Sequence, residues 1–188
     1  MKYIVFTKVK LPYGWLGNMA PYPINYGNKN YRTTEALFQA LRFKDYPEIQ
    51  EKIMAENSPM GAKMVAKSYK SLLEKDGYEL LGSQDIEYMK ICLKEKLKQH
   101  PDLIKQLLDT GDSILIEDCS SRPHGSGLFW GSALKNNNWV GRNVLGEMWM
   151  GQRSELKKNI SQKFNDTGLK EDLRLAKVEP VRKFPPLK

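Results

Sequence analysis

Residues 33–43 read Thr-Thr-Glu-Ala-Leu-Phe-Gln-Ala-Leu-Arg-Phe, and this stretch decides how the chain folds. Its hydrophobic residues cover most of the circumference of a helix, which is typical of a helix buried on nearly all sides. At about 100° per residue, Glu35, Gln39 and Arg42 fall on one narrow stripe of that helix. Because unpaired buried charge is costly, the stripe must face a cavity, a partner or a salt-bridged neighbour. The pattern therefore predicts a functional site here.

The composition is that of one globular domain. The chain has 188 residues, of which 40% are hydrophobic and 28% charged, and this length can bury a sizeable core. No run approaches the roughly 18 apolar residues that a membrane span needs. The first residues are too quickly polar for a signal peptide, so we expect a cytoplasmic protein with no membrane partner.

The cysteines and histidines form no metal or redox motif. Cys92 and Cys119 are the only cysteines, and a structural disulfide is not expected in a cytosolic chain. His100 and His124 are the only histidines, which makes a zinc site improbable. We therefore expect no metal and no cofactor.

The net charge of +8 leaves two interpretations open. One is a solvated basic surface. The other is an anionic partner, such as a phosphorylated metabolite, a dinucleotide or a nucleic acid. We expect residues 1–165 to form the domain and residues 166–188 to form a basic, Pro-rich tail that acts as an arm.

Local patterns predict an α+β domain with several helices packed around a small sheet. The predicted strands are 3–7, 22–26, 29–32 and 113–117. The predicted helices are 34–43, 47–57, 59–73, 84–99, 101–111 and 144–160, and residues 119–138 are predicted as a long loop. The predicted helix caps are Thr33 or Thr34, Ser58, Ser83 and Asn143.

Other stretches place glycine beside aromatic or polar residues. They are Tyr13-Gly14-Trp15-Leu16-Gly17-Asn18, Phe129-Trp130-Gly131 and Trp139-Val140-Gly141-Arg142-Asn143-Val144-Leu145-Gly146. Each alone is a weak signal, because the glycines could serve turns and the tryptophans could belong to the core.

Together with the helix at 33–43, these stretches resemble the NADAR family, also called YbiA-like. Its members carry the motifs F…LSNF, SEHYFQAQKF, lvE…D..WG and G.N.LG..LM..R in that order. The corresponding residues here are Phe6 with 16–19, then 34–43, then 115–117 with Trp130-Gly131, then 141–146 with Met150 and Arg153. The four-part order makes the resemblance specific. It implies a YbiA-like fold and an N-glycosidase acting on phosphoribosyl or ADP-ribosyl compounds.

Three departures from the family pattern bear on the chemistry. The family's helix lysine is Arg42 here, and if that lysine attacks the sugar, an always-charged guanidinium cannot replace it. Lys63, in a segment resembling the family's A.K stretch, is the candidate substitute. Gly127 stands where the family has an acid three residues before Trp-Gly, so Asp118 would serve if its loop folds back. Leu81 replaces a tryptophan that would stack on a base.

The predicted catalytic residues are Glu35, Asp118, Arg42 and Lys63. Cleaving an N-glycosidic bond builds positive charge on the anomeric carbon of ribose, and we expect the Glu35 carboxylate to stabilise that charge or activate water. Asp118 or Glu117 would protonate the leaving base. The structural alternatives are a helix-capping Glu35 paired with Arg42 and a strand-end Asp118 that faces water.

The predicted substrate-binding residues are Asn18, Gly17, Gln39, Trp130, Gly131, Asn143 and Arg153. The planar forks of Arg42 and Arg153 suit phosphate. Asn18 and Asn143 would bind ribose hydroxyls or a pyrophosphate, and Trp130 would stack on a base. The alternatives are a surface position for Arg153, a helix cap for Asn143 and a core position for Trp130.

Three functions therefore compete. The first is hydrolysis of an N-glycoside, either a ribosylated pyrimidine phosphate of riboflavin synthesis or ADP-ribose attached to guanine, including guanine within a nucleic acid. The second is non-catalytic binding of ADP-ribose or a related nucleotide, suggested by Arg42 and Gly127. The third is basic nucleic-acid binding, in which affinity falls steeply with salt and does not depend on Glu35.

Overall fold

The computed structural model describes residues 2–166. The chain divides into two compact units, Met1–Arg153 and Ser154–Lys188. The first unit contains every strand described below and the residues of the candidate site. The tail expected at 166–188 lies outside the described residues except for its first residue, so the boundary at 165/166 stays a prediction.

Eight α-helices and six short strands make up the described part of the chain. The strands are β1 Tyr3–Phe6, β2 Ile24–Tyr26, β3 Lys29–Tyr31, β4 Ile114–Glu117, β5 Ala133–Lys135 and β6 Asn138–Val140. The helices are α1 Thr34–Arg42, α2 Pro47–Ala55, α3 Pro59–Ser68, α4 Lys70–Lys75, α5 Ser83–Gln99, α6 Asp102–Asp109, α7 Ser126–Trp130 and α8 Val144–Asp166. The predicted α+β class is confirmed, because helices dominate and the strands form only three two-stranded pairs.

The pair β1 and β4 joins the start of the first unit to residues 114–117. The strands run parallel, with Tyr3 opposite Ile114 and Phe6 opposite Glu117, so helices α1–α6 lie in the connection between them. Phe6 and Leu115 are completely buried in this pair. The pairing places Glu117 at the carboxyl end of the strand. The other two pairs, β2–β3 and β5–β6, are antiparallel hairpins.

Helix α1 is buried as its sequence predicts. Thr33 caps it, because its Oγ1 accepts a hydrogen bond from the backbone N–H of Ala36 at 3.2 Å. Helices α2, α3 and α5 and the strands β2 and β3 all contact it. Glu35 and Gln39 lie within this packed core with only 6% and 3% of their surface exposed. The polar stripe is therefore an interior feature.

Two helix predictions need correction. Ser58 caps α3 as predicted, through the N–H of Gly61, but the helix expected to reach residue 73 is broken at Tyr69 into α3 and α4. The predicted cap at Ser83 is wrong: the N-cap of α5 is Gly82, and no side chain caps it. The buried residues Ala62, Ala66 and Leu73 keep a helical spacing across the break, so periodicity alone did not reveal it.

The predicted loop at 119–138 is also wrong in part. It contains the five-residue helix α7 and the strand β5, and β6 begins at its end. The hairpin turn is made by Asn136 and Asn137, both with positive φ, a conformation that asparagine tolerates better than most residues. Elements of three to five residues are too short to show a hydrophobic period.

Helix α8 packs closely on β4 at Gly146. A Cβ added there would lie 2.2 Å from the carbonyl oxygen of Leu115, which is backbone and cannot move aside. Gly151, on the same helix, has no atom within 4 Å of its added Cβ. Position 146 therefore has no room for a side chain, whereas position 151 on the same helix has.

We expect Gly146→Ala to lower the free energy of unfolding by about 2 kcal/mol or more, because the methyl group would force β4 and α8 apart. Gly151→Ala is the matched control and should raise it by up to about 1 kcal/mol, because alanine favours the helix. Urea unfolding of both variants measures the difference. Equal effects of the two substitutions would contradict this packing.

Candidate active site

The polar stripe of α1 forms a continuous hydrogen-bonded row. The side-chain amide of Gln39 donates to Oε1 of Glu35 at 2.9 Å. Arg42 donates through Nη1 to Oε1 of Gln39 at 3.2 Å. Arg42 also forms a two-pronged ion pair with Asp85 on α5, at 2.8 and 2.5 Å. The predicted alternative of a Glu35–Arg42 ion pair is therefore wrong, since Gln39 lies between them and Asp85 is the partner.

Asp85 is a site residue that the sequence interpretation missed. It is completely buried, and it also accepts hydrogen bonds from the Tyr78 hydroxyl at 2.6 Å and from the backbone N–H of Leu81 at 2.7 Å. Burial and the bond to Asp85 raise the pKa of Tyr78. A signal was present: Asp85 lies on the same helical face as the buried Met89 and Cys92, where a charge needs a partner.

Two further charged groups surround Glu35. The Lys63 ammonium, on α3, lies 4.0 Å from Glu35 Oε1, so the structure brings this predicted residue to the predicted carboxylate. Glu117, at the end of β4, experiences the charges of both groups. Burial, followed by repulsion from Glu35, raises the pKa of Glu117 to about 7, although Lys63 and Arg122 oppose the rise. The site thus holds two carboxyl groups in different environments.

A cavity of about 290 Å³ opens beside this cluster. Gln39 lines it, together with apolar groups such as Met60 and Leu80. Five cationic side chains also line it: Arg42, Lys63, Lys67, Lys70 and Arg122. Among the described residues no carboxylate belongs to its wall. Such a lining favours an anionic ligand that carries an apolar or aromatic part.

A buried lysine holds the loop between β1 and β2 in place. Lys96 is completely buried, and its ammonium group donates to the carbonyls of Trp15 and Gly17. The next carbonyl, that of Asn18, accepts the backbone N–H of Glu35 at 2.9 Å. Burial lowers the pKa of Lys96 to about 7. Gly17 and Asn18, both predicted as binding residues, are thus tied to the start of α1.

One polar atom of Asn18 has no hydrogen-bond partner among the described residues. Its Nδ2 lies 3.3 Å from the sulfur of Met89, and its Oδ1 is buried with no hydrogen-bond partner in the described part of the chain. A buried acceptor without a donor is unusual in a folded protein. The predicted contact of Asn18 with a ribose hydroxyl stays a prediction.

The Trp130 segment lies against α1. The Trp130 ring meets the Phe38 ring edge-on, with 5.5 Å between centroids, so its position is fixed by packing. At Gly131 an added Cβ would lie 2.4 Å from the carbonyl oxygen of Glu117. This glycine therefore permits close approach of the chain to itself. Asp118 turns toward its own loop, where Oδ1 accepts the backbone N–H of Ser120 at 2.8 Å. Glu117 is the acid whose pKa responds to the charge of Glu35, and the catalytic role of Asp118 stays a prediction.

Asn143 and Arg153 use their side chains inside the fold. Asn143 precedes α8, but its side chain bonds the backbone of β4, accepting from Glu117 N at 3.1 Å and donating to Leu115 O at 2.8 Å. The predicted cap role is therefore wrong. Arg153 is buried, so it is not a surface residue. It donates to Thr110 Oγ1 and to the carbonyl of Ser113, which leaves its predicted phosphate contact without support.

Within residues 2–166, no group of three or more His, Cys, Asp or Glu side chains is arranged to hold a metal ion. In the same range, no helix combines the length and the apolar character needed to cross a bilayer. The cytoplasmic location stays a prediction.

Fold and site together define an α+β domain in which Gln39 and Lys63, the neighbours of the buried Glu35 carboxylate, line a cavity rich in cations. The NADAR domain model matches residues 5–157, so this chain belongs to the NADAR family. The NMR structure of the Escherichia coli protein YbiA superposes with a TM-score of 0.63 at 25% identity, covering 85% of this chain and 88% of YbiA. The predicted family and fold are confirmed.

Two curated relatives bear on activity. An N-glycosidase of Nostoc punctiforme is 31% identical over 160 residues, which cover 84% of this chain and 95% of that protein. A riboflavin biosynthesis protein of Vibrio vulnificus is 29% identical over 156 residues, which cover 83% of this chain. This chain spans only 39% of the length of the Vibrio protein.

The pKa of Glu117 leads to a stability test. The folded protein holds this pKa near 7, above its ordinary value of 4.5, so the unfolded state loses the proton first as pH rises. The stabilising contribution is complete below about pH 4.5 and is lost as pH rises through about 7. We therefore expect the free energy of unfolding of the wild type, relative to Glu117→Gln, to fall by up to about 3 kcal/mol between pH 4.5 and 8.

Denaturant unfolding at several pH values measures this difference. Glu147→Gln, which removes an exposed acid from α8, is the control and should follow the wild type. Parallel curves for the wild type and Glu117→Gln would show that the Glu117 carboxyl ionises normally.

Proposed function

We propose that this chain is an N-glycosidase that hydrolyses the bond between a base or amine and a phosphorylated ribosyl group, with Glu35 as its central catalytic residue. The observation that carries the proposal is the position of the buried Glu35 carboxylate. Its two neighbours Gln39 and Lys63, at 2.9 and 4.0 Å, both line the cation-rich cavity. The NADAR membership and the Nostoc N-glycosidase support the same activity.

The two carboxyl groups suit the two proton transfers of the reaction. As the bond between the anomeric carbon and nitrogen breaks, positive charge develops on the sugar, and the Glu35 carboxylate stabilises it. Water adds its oxygen to that carbon, and Glu35 accepts the water proton. Glu117, with a pKa of about 7, retains a proton at near-neutral pH and gives it to the leaving nitrogen. The products are the free sugar phosphate and the protonated base.

The cavity supports a phosphorylated substrate. Arg42 is paired with Asp85 and Lys70 with Glu74, while Lys67 and Arg122 add positive charge to the same wall. A phosphate or pyrophosphate would satisfy this charge. The Asn18 carboxamide oxygen offers an acceptor to a ribose hydroxyl. Both a ribosylaminopyrimidine phosphate and an ADP-ribosyl group attached to guanine meet these requirements, the latter also within a nucleic acid.

A second candidate function is non-catalytic binding of ADP-ribose. It rests on Arg42, which stands where the family has a lysine and is held by Asp85. In the hydrolase, Lys63 provides the positive charge beside Glu35 instead. The two functions differ in whether product forms, so one experiment separates them.

The test is mass spectrometry of products from the wild type and from Glu35→Gln. Each is incubated with a ribosylaminopyrimidine phosphate and, separately, with DNA carrying ADP-ribosylated guanine. We expect the wild type to release base from one substrate, and Glu35→Gln to be slower by about a hundredfold or more, because the amide neither stabilises the cation nor accepts a proton. Lys63→Met should also be slower.

Glu51→Gln is the matched control, because Glu51 is an exposed acid on the neighbouring helix α2. It should release base at the wild-type rate. Tight ADP-ribose binding without release from either substrate would establish the binder. Salt-steep binding of any DNA, equal in the wild type and Glu35→Gln, would instead indicate a nucleic-acid-binding protein.

A further inference from the structure

Asp85 is connected to Glu35 through two other side chains. It binds Arg42, Arg42 donates to Gln39, and Gln39 donates to Glu35. The Asp85 carboxylate is completely buried, and each of its oxygens accepts two hydrogen bonds. Oδ1 accepts from Arg42 Nε and the Tyr78 hydroxyl, and Oδ2 accepts from Arg42 Nη2 and the Leu81 N–H. A buried carboxylate with this complete a set of donors has one orientation available.

The orientation of Asp85 fixes the orientation of Arg42 and, through it, of Gln39 on α1. With Nε and Nη2 held by Asp85, the Arg42 guanidinium presents Nη1 to the oxygen of the Gln39 carboxamide. An amide whose oxygen faces a cation must turn its nitrogen the other way. Here the nitrogen donates to Glu35 at 2.9 Å. Without Arg42, the Gln39 amide could rotate and place its oxygen beside the carboxylate.

The aromatic side chains hold the same arrangement from another direction. The Arg42 guanidinium carbon lies 4.3 Å from the centre of the Phe38 ring, and that ring meets Trp130 edge-on. The guanidinium is therefore fixed by its ion pair at one edge and by a ring on one face. Three of its N–H groups donate to Asp85 and Gln39, which distinguishes Arg42 from a free phosphate-binding arginine.

We propose that Asp85 is a positioning residue for the reaction: through Arg42 and Gln39 it fixes the hydrogen bond that Glu35 accepts. We call this hydrogen-bonded series, from Asp85 through Arg42 and Gln39 to Glu35, the relay. The kinetic test of the inference rests on the proposed function, but the geometry of the relay exists whether or not the chain is a hydrolase. It also gives a reason for arginine at position 42, because a lysine ammonium could not grip Asp85 with two prongs and bind Gln39 as well.

Other charged or titratable groups also face Glu35, and the test must keep them constant. Lys63 approaches from α3, and Glu117 from β4. The buried Cys92 thiol on α5 experiences the charge of Glu35, which together with burial raises the pKa of Cys92. None of these groups is replaced by a substitution at position 85, so a loss of kcat with KM preserved would report the relay.

The test substitutes Asp85→Asn, which keeps the shape of the side chain and removes its charge. On the substrate that the wild type cleaves, we expect kcat to fall between about tenfold and a hundredfold, with KM changed less than about twofold, because Glu35 is misaligned while the cavity is intact. Asp109→Asn, which alters an exposed ion pair on α6, should leave kcat and KM unchanged.

A double-mutant cycle separates a relay from general support of the fold. In a Gln39→Ala background the relay has already been cut, so Asp85→Asn should cause little further loss of kcat. Arg42→Lys keeps a positive charge for Asp85 but loses the bond to Gln39, and it should resemble Asp85→Asn. It also supplies the test if Asp85→Asn does not fold. Tyr78→Phe removes only one of the four donors and should have a smaller effect.

An observation independent of activity completes the test. The NMR signals of the Gln39 side-chain amide respond to the hydrogen bonds that this amide makes. In Asp85→Asn these signals should move toward the positions that they take in Arg42→Lys, even if no N-glycoside proves to be cleaved. Additive losses in the double mutant, unchanged amide signals, or a gain of activity in Arg42→Lys would each overturn the relay.

Discussion

The fold depends on the requirement that polar groups buried on α1 find partners. Glu35 and Gln39 lie inside the core, where an isolated charge or amide would cost several kcal/mol. Each neighbour of α1 answers part of this requirement. Helix α3 places Lys63 beside Glu35, and α5 places Asp85 beside Arg42. The loop between β1 and β2 supplies the Asn18 carbonyl, which accepts the backbone N–H of Glu35. The packing of the helices and the geometry of the site therefore have the same origin.

Helix α5 contributes to both ends of α1 with charges of opposite sign. Asp85, near its start, binds Arg42 at the end of α1. Lys96, near the end of α5, binds the Gly17 carbonyl in the loop between β1 and β2, and the neighbouring Asn18 carbonyl accepts the N–H of Glu35 at the start of α1. Both residues are completely buried, so neither could be lost without leaving groups of the other helix or loop unsatisfied. One helix thus sets the position of the Glu35 segment at two points.

The site combines three features that suit hydrolysis of a phosphorylated N-glycoside. One carboxylate has an amide donor and a cation beside it, a second carboxyl group has its pKa raised to about 7, and the adjoining cavity is lined by cations. Membership of the NADAR family agrees with this chemistry. Arg42 departs from the family pattern, and its guanidinium forms a two-pronged ion pair with the buried Asp85.

The sequence alone determined the elements whose signals are local. The period of residues 33–43 predicted a buried helix with a polar stripe, and Thr33 and Ser58 were identified as caps because each acts on an N–H three residues away. The ordered motifs predicted the family. Short elements such as α7 and β5 escaped, because three to five residues cannot show a period.

Only the tertiary structure decided which groups meet the stripe. Asp85 is 43 positions from Arg42, and periodicity could show that it lies on a buried face but could not name its partner. Likewise, only the tertiary structure shows that the charge of Glu35 acts on Glu117, while Asp118 accepts the N–H of Ser120. A pattern along one element specifies which face is buried. The partner across that face depends on how separate elements pack, and no single segment encodes it.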